Sequence, residues 1–140
     1  MSGAAQTSFF VTTRGPGCHD LTAEVARWLD GRGDGVVTLM VRHTSASLLI
    51  QENADPDVQR DLLAWLHRLV PPATDPSMAF LRHIAEGADD MPAHLKAALL
   101  PTCLTIPVAA GRMRLGTWQG LYLVEHRARP HRREVAAHFA

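Results

Sequence analysis

The chain has 140 residues, 46% hydrophobic and 20% charged, with fourteen basic side chains balanced by fourteen acidic ones. That length makes a single domain with a real core and leaves no room for two. Zero formal charge removes any global attraction to nucleic acid or to an anionic membrane.

Two cysteines, Cys18 and Cys103, lack CxxC spacing, and isolated thiols fit a reducing compartment. The start, MSGAAQTSFFVTTRGPG, has neither a basic n-region nor a long apolar h-region, so it does not read as a signal peptide. No apolar run approaches the roughly 20 residues of a membrane helix. The expectation is a soluble, cytoplasmic protein.

In chain order, Ser8 to Thr13 reads as a strand ended by the turn Arg14-Gly15-Pro16-Gly17. Leu21 to Asp30 places Leu21, Val25, Trp28 and Leu29 on one helical face, with Asp20 or Thr22 as cap and Gly31 as stop. Val36 to Val41 follows as a strand that looks buried on both faces, and Ala46 to Gln51 as another after a bend at Thr44-Ser45. Asp55-Pro56 starts a helix, with Asp as N-cap and Pro at the first helical position. Val58, Leu62, Trp65, Leu66 and Leu69 recur along it at helical spacing and predict one buried face, until Pro71-Pro72 stops it.

Pro76 to Met91 reads as a loop with one helical turn around Phe80-Leu81, and Asp89 or Asp90 caps a short helix from Pro92 to Leu100. Four strands close the chain: Thr102 to Val108, Arg112 to Leu115, Gly120 to Glu125 and Arg133 to His138. Strands and helices do not alternate, which argues against a doubly wound parallel sheet and for an α+β fold with antiparallel sheets.

Two polar knots interrupt this apolar pattern. MVRHTSASLLIQENAD gathers His43, Thr44, Ser45, Ser47, Glu52, Asn53 and Asp55 around Leu48-Leu49-Ile50, which suggests two adjoining strands with their polar ends at one pocket. HIAEGADDMPAH supplies His83 and His94 on either side of Glu86, Asp89 and Asp90. Side chains in a first helical turn lean back toward the preceding loop, which would carry His94 toward Asp89 and His83. With His43, three imidazoles would leave the open fourth position of a catalytic zinc site.

Glu52, at a strand end, suits a general base or an orienting partner for a histidine, and Asn53 could orient Glu52 or Asp55. Asp55 is most simply a helix cap. In GTWQG, Trp118 offers a stacking face and Gln119 an amide, though a hairpin with a core tryptophan explains the motif equally. Of the C-terminal arginines only Arg133 is kept for a phosphate, with Arg132 on the opposite face by strand alternation. The group lacks interleaved aromatics, so no nucleic acid is expected as partner.

HTSASLLIQENAD, FLRHIAEGADDMPAHLKAALL and GRMRLGTWQGLYLVEHRARPHRREV, in that order, resemble the YjbQ-like family, whose members are often labelled secondary thiamine-phosphate synthase enzymes. The resemblance spans nearly the whole chain as one domain, 1–140. It implies packed antiparallel β-sheets, sandwich-like, with helices against one side. It also implies a homotrimer with pockets near subunit boundaries. The implied activity is a weak synthase that joins hydroxymethylpyrimidine diphosphate to thiazole phosphate and releases diphosphate.

On that pattern His43, Thr44, Ser45, Ser47, Glu52, Asn53 and Asp55 fall in the first block. His83, Gly87, Asp89 and His94 fall in the second, and Gly116, Thr117, Trp118, Gln119 and Arg133 in the third. One departure is Asp89-Asp90 where the family has Asp-Asn, which adds a carboxylate. The roles expected are His43, His83 and His94 for a metal, Glu52, Asp89 and Ser45 for catalysis, and Thr44, Ser47, Asn53, Thr117, Trp118, Gln119 and Arg133 for a small phosphorylated substrate. The cofactor is a divalent ion, zinc-like on three histidines or magnesium with diphosphate; histidines suit the first and oxygen ligands the second. Two other readings are a metal-assisted hydrolase with Glu52 as base and a non-catalytic module that binds a metal or metabolite.

Overall fold

Residues 4–140 are described by a computed structural model. Among them the strands are β1 (Ala5–Thr13), β2 (Gly17–Asp20), β3 (Gly35–Val41), β4 (Ala46–Glu52), β5 (Cys103–Ala109), β6 (Arg112–Met113), β7 (Gln119–Glu125) and β8 (His131–Phe139). The helices are α1 (Thr22–Leu29), α2 (Pro56–Leu69) and α3 (Asp90–Leu99), with a 3₁₀ turn at Pro76–Met78. The pairings are antiparallel and make two sheets, ordered β1-β8-β3-β5-β6 and β2-β7-β4. This is the α+β, antiparallel architecture that the irregular succession of elements predicts.

Strand alternation builds the core. Val37, Leu39 and Val41 of β3, Ile106 and Val108 of β5, and Val135, Ala137 and Phe139 of β8 meet Leu121 and Leu123 of β7 and Leu48 of β4. Leu21, Val25 and Leu29 of the α1 segment complete the cluster, so the predicted helical face is the buried one. The outer face of the large sheet is bare, because α1 packs against β6 and β7 and α3 against β4. Val36 and Met40 are therefore exposed, and β3 is not buried on both faces as its apolar run suggested.

Local signals fix most boundaries. The Asp55 carboxylate accepts from the Asp57 N–H at 2.9 Å, with Pro56 opening α2. Ala110 and Gly111, both at positive φ, turn β5 into β6 as a two-residue hairpin, and Asp34 Oδ1 accepts the Ala110 N–H at 2.7 Å. β2 was not anticipated: its four residues become a strand only because β7, a hundred residues on, pairs with them.

The helical turn in the long loop lies at Pro76–Met78, capped by Asp75, rather than at Phe80-Leu81. α2 departs most from expectation. Of its apolar stripe only Leu66 is buried, while Trp65 and Leu69 are 56% and 50% exposed. Val58, Leu62 and Leu63 are half-buried beside Leu66, and the Trp65 and Leu69 flank of the stripe stays open.

Candidate metal centre

The β4–β7 register separates what the sequence placed together. Ala46 pairs with Glu125 at one end and Glu52 with Gln119 at the other. Six residue steps put those ends about 20 Å apart. The HTSAS end therefore shares its neighbourhood with Glu125-His126-Arg127, and the QEN end with Thr117-Trp118-Gln119. Within one chain the expected single pocket does not form.

At the first end, the loop before α3 and the first turn of α3 converge. Asp90, 2% exposed, presents Oδ2 to His83 Nε2 at 2.8 Å and to His94 Nε2 at 3.2 Å. Asp90 and His94, four apart on α3, share one helical face. The other Asp90 oxygen is held by Arg127 Nη1 at 2.6 Å, while Arg127 Nε donates to Asp89 Oδ2 at 2.9 Å and Nη2 to the Glu86 carbonyl. Burial works to raise the pKa of Asp90. The hydrogen bond from His83, helped by Glu86 and the Arg127 charge, outweighs it and holds the carboxyl below the usual carboxylate range.

His94 defines the chemistry of this cluster. Its Nδ1 lies 2.9 Å from the Thr44 carbonyl, which can only accept, so the Nδ1 proton is fixed there. In the neutral ring Nε2 then carries a lone pair, aimed at a carboxylate oxygen 3.2 Å away. Two acceptors facing each other require a cation: a second proton on His94 or a metal ion between them. The ligand atoms of His83, Asp90 and His94 all lie within 4.8 Å of one another. Tetrahedral zinc with bonds of about 2.0–2.1 Å spaces its ligands by about 3.3 Å. A carbonyl behind the Nδ1 of a ligating histidine is the usual orienting contact. Two nitrogens and one carboxylate suit zinc or a related transition ion and do not suit magnesium.

Behind the cluster lies a buried ion pair. Glu125, 0% exposed, accepts from Arg133 Nε at 2.8 Å, from Arg133 Nη2, and from Thr13 Oγ1 at 2.6 Å. Its Oε2 also accepts the N–H groups of His126 and Arg127 at 3.0 and 3.1 Å. Glu125 thus fixes the backbone from which Arg127 reaches Asp89 and Asp90.

His126, buried beside it, bonds Ser47 Oγ through Nε2 at 2.8 Å. Burial, then the charge of Lys96, pushes its pKa down to about 4. Because the folded pKa lies below the unfolded one, the unfolded chain takes the proton first. The resulting stability is complete above about pH 6.5 and is lost as pH falls toward 4. Urea unfolding at pH 7 and pH 4 should show the native chain losing about 3 kcal/mol more than a His126→Gln variant does. Equal losses would remove His126 from the acid response.

Measured against expectation, the structure brings His83 and His94 together but leaves His43 apart. His43 Nε2 accepts the Glu134 N–H at 2.8 Å, which occupies its lone pair, and Asp90 stands in the third ligand position instead. Burial, then Arg133, holds the His43 pKa below the ordinary histidine value. Asp89 is a strut between Arg127 and the Ala128 N–H (2.8 Å), and though it is the N-cap residue of α3 its carboxylate makes no cap bond. Ser45 Oγ accepts from Arg133 at 2.9 Å and Ser47 Oγ bonds His126, both inside the protein. Thr44 contributes its carbonyl rather than its hydroxyl.

Arg133 is closed in by Glu125 and cannot reach a phosphate, because the alternation that turns Arg132 out, over the Phe10 ring, turns Arg133 in. At the far end, Glu52 Oε2 accepts the Asp55 N–H, and Asn53 Nδ2 donates to the Gln119 carbonyl. Gln119 Oε1 closes the Gly116 turn at 2.8 Å, beside the exposed Thr117. Trp118 is 63% exposed, so it is no core residue. Arg127, Glu125 and His126 were missed. Their signal was two charged residues and a histidine placed directly after the apolar run Leu121-Tyr122-Leu123-Val124.

Fold and cluster together define a two-sheet α+β domain with a two-histidine, one-carboxylate group at the end of its small sheet. A family model described as UPF0047 protein YjbQ-like matches residues 7–140. A UPF0047 protein of Synechocystis sp. is 47% identical over 135 residues, covering 95% of this chain and 89% of that one. UPF0047 protein YjbQ of Escherichia coli O157:H7 is 38% identical, covering 94% of each. The crystal structure of an uncharacterized conserved protein of the yjbq/upf0047 family from Clostridium acetobutylicum superposes with a TM-score of 0.84 at 33% identity, over 96% of this chain and 99% of that one. The chain belongs to the UPF0047, YjbQ-like family.

Proposed function

We propose that the chain is a metal-dependent enzyme acting on a small phosphorylated substrate, with its ion on His83, Asp90 and His94. The observation that carries this reading is His94, oriented by the Thr44 carbonyl so that its Nε2 lone pair faces the Asp90 carboxylate. A bound transition ion supplies Lewis-acid polarisation of an oxygen and a nucleophilic water near neutral pH. Arg127, by taking Oδ1, leaves Asp90 only Oδ2 to offer. Magnesium enters this reading only as the counter-ion of diphosphate.

Within that class, the reaction to test first joins hydroxymethylpyrimidine diphosphate to thiazole phosphate. Zinc- or manganese-loaded protein is expected to release diphosphate only when both precursors are present, and His94→Ala to lower the rate at least about a hundredfold. Release of phosphate from one substrate alone would favour a hydrolase. In that case Glu52, at the far end of β4 and about 20 Å from Ala46, could not be the base within one chain. A tightly held ion with no turnover in either reaction would leave a binding protein.

The same reading includes self-association as a homotrimer, supported by the open apolar flanks of α2 at Trp65 and Leu69. Light scattering should give three times the mass of one chain, and Trp65→Glu/Leu69→Glu should lower it; a native monomer would contradict this. A cytoplasmic setting accords with the free thiols of Cys18 and Cys103. No helix among the described residues is long and apolar enough to cross a membrane.

A further inference from the structure

Beside the cluster lies an open cleft of about 520 Å³, lined by Ala85, Glu86, Gly87, Arg127, Arg129 and His131. That volume is in the range of small-ligand sites. Two of its walls belong to the surroundings of the candidate ligands. The Glu86 carboxylate is 3.8 Å from His83 Nε2, and Arg127 is bonded to Asp90. Arg127 brings no spare charge, since its guanidinium is engaged by Asp89, Asp90 and the Glu86 carbonyl.

Arg129 is different. It is exposed and makes no ion pair among the described residues. His131 Nδ1 bonds its carbonyl oxygen at 2.8 Å, which pins the turn that carries it. With no ion, the carboxylates of Glu86, Asp89 and Asp90 balance the guanidiniums of Arg127 and Arg129 and the single cation that His94 and Asp90 require between them, so no net charge draws an anion into the cleft. A divalent ion in place of that single cation makes the group net positive.

We propose that this cleft is an oxyanion site opened by the metal, in which Arg129 grips the phosphoryl or carboxylate group of a small substrate. The inference rests on the metal reading above. The ion binds first and the anion second. By linkage the anion must tighten the ion by the same factor, and couplings of this kind run to about 5–150-fold. Arg129 suits the task because its fork matches two oxygens of either group.

Calorimetry on the full chain tests this, with inorganic phosphate titrated into metal-free protein and into protein holding one equivalent of zinc. Phosphate should bind at least about tenfold more tightly to the loaded form. The ratio should collapse toward one in Arg129→Ala, and the exposed position of Arg129 leaves that variant folded. Acetate in place of phosphate separates the two sources of the oxyanion, the larger ratio naming the group. Zinc that binds without changing phosphate affinity would overturn the inference and leave the metal reading standing. A full ratio retained in Arg129→Ala would overturn the cleft assignment, because phosphate would then sit on the ion alone. Failure of zinc to bind would overturn both.

Discussion

Asp90→Asn is expected to weaken zinc binding by more than about a hundredfold while the chain stays folded. Residues that merely orient a ligand are worth about 10–100-fold in metal affinity, and a direct ligand exceeds them. The substitution keeps the shape and removes the charge. It also reverses one contact, since the amide N–H₂ can donate to His94 Nε2 where a carboxylate only opposes it. The metal-free variant is thereby relieved of its facing acceptors, which offsets the acceptor lost by His83 and the charge lost beside Arg127. Competition with a chromophoric chelator, read beside urea unfolding of the metal-free protein, separates the two effects. Zinc affinity within threefold of the native value would move the ion elsewhere.

Arg133→Met should be the most destabilising single change in the polar interior, at about 3–5 kcal/mol, because it strands the Glu125 carboxylate, 0% exposed, without its charged partner. Burial alone raises the Glu125 pKa; Arg133, Thr13 and the Arg127 N–H together hold it below the usual range. A carboxyl depressed on folding contributes stability that is present above its unfolded pKa and lost as pH falls through the folded one. The native chain therefore gains from Glu125 at neutral pH. In Arg133→Met the shift reverses, and the variant should recover part of its stability as the pH is lowered toward 5. The double variant Arg133→Met/Glu125→Leu should recover most of the loss at pH 7, since well-packed apolar replacements of buried pairs are often neutral. A single variant within 1 kcal/mol of native would show that water reaches Glu125.

Much of the scaffold was legible because local chemistry decided it. Asp55-Pro56 opens α2, Ala110-Gly111 turns a hairpin, and the spacing of Leu21, Val25 and Leu29 places one face of α1 in the core. What resisted reading depends on partners far along the chain. β2 is a strand by virtue of β7, and β3 has an open face because no helix lies across it. The site divides along the same line. His83 and His94 could be joined from sequence because a tight loop and one helical turn separate them.

His43 and Glu52 could not be placed, because only the β4–β7 register shows that the two ends of the QEN–HTSAS strand point opposite ways. The extra carboxylate at Asp90 was visible as a departure from the family pattern, yet its neighbour Asp89 had the catalytic assignment. Rotation along α3 separates the two, turning Asp90 toward His94, four residues on, and leaving Asp89 to Arg127 and the Ala128 N–H. Strand alternation sets Arg132 and Arg133 on opposite faces as expected, but the inner one is neutralised by Glu125 and the outer one lies on Phe10.

Metal content of protein purified without a histidine tag, after loading with zinc and exhaustive dialysis, tests the central assignment most directly. One ion per chain is expected in the native protein and in His43→Ala, and none in His83→Ala or His94→Ala. Zinc retained by the His94 variant, or lost with His43 alone, would contradict a centre built on His83, Asp90 and His94.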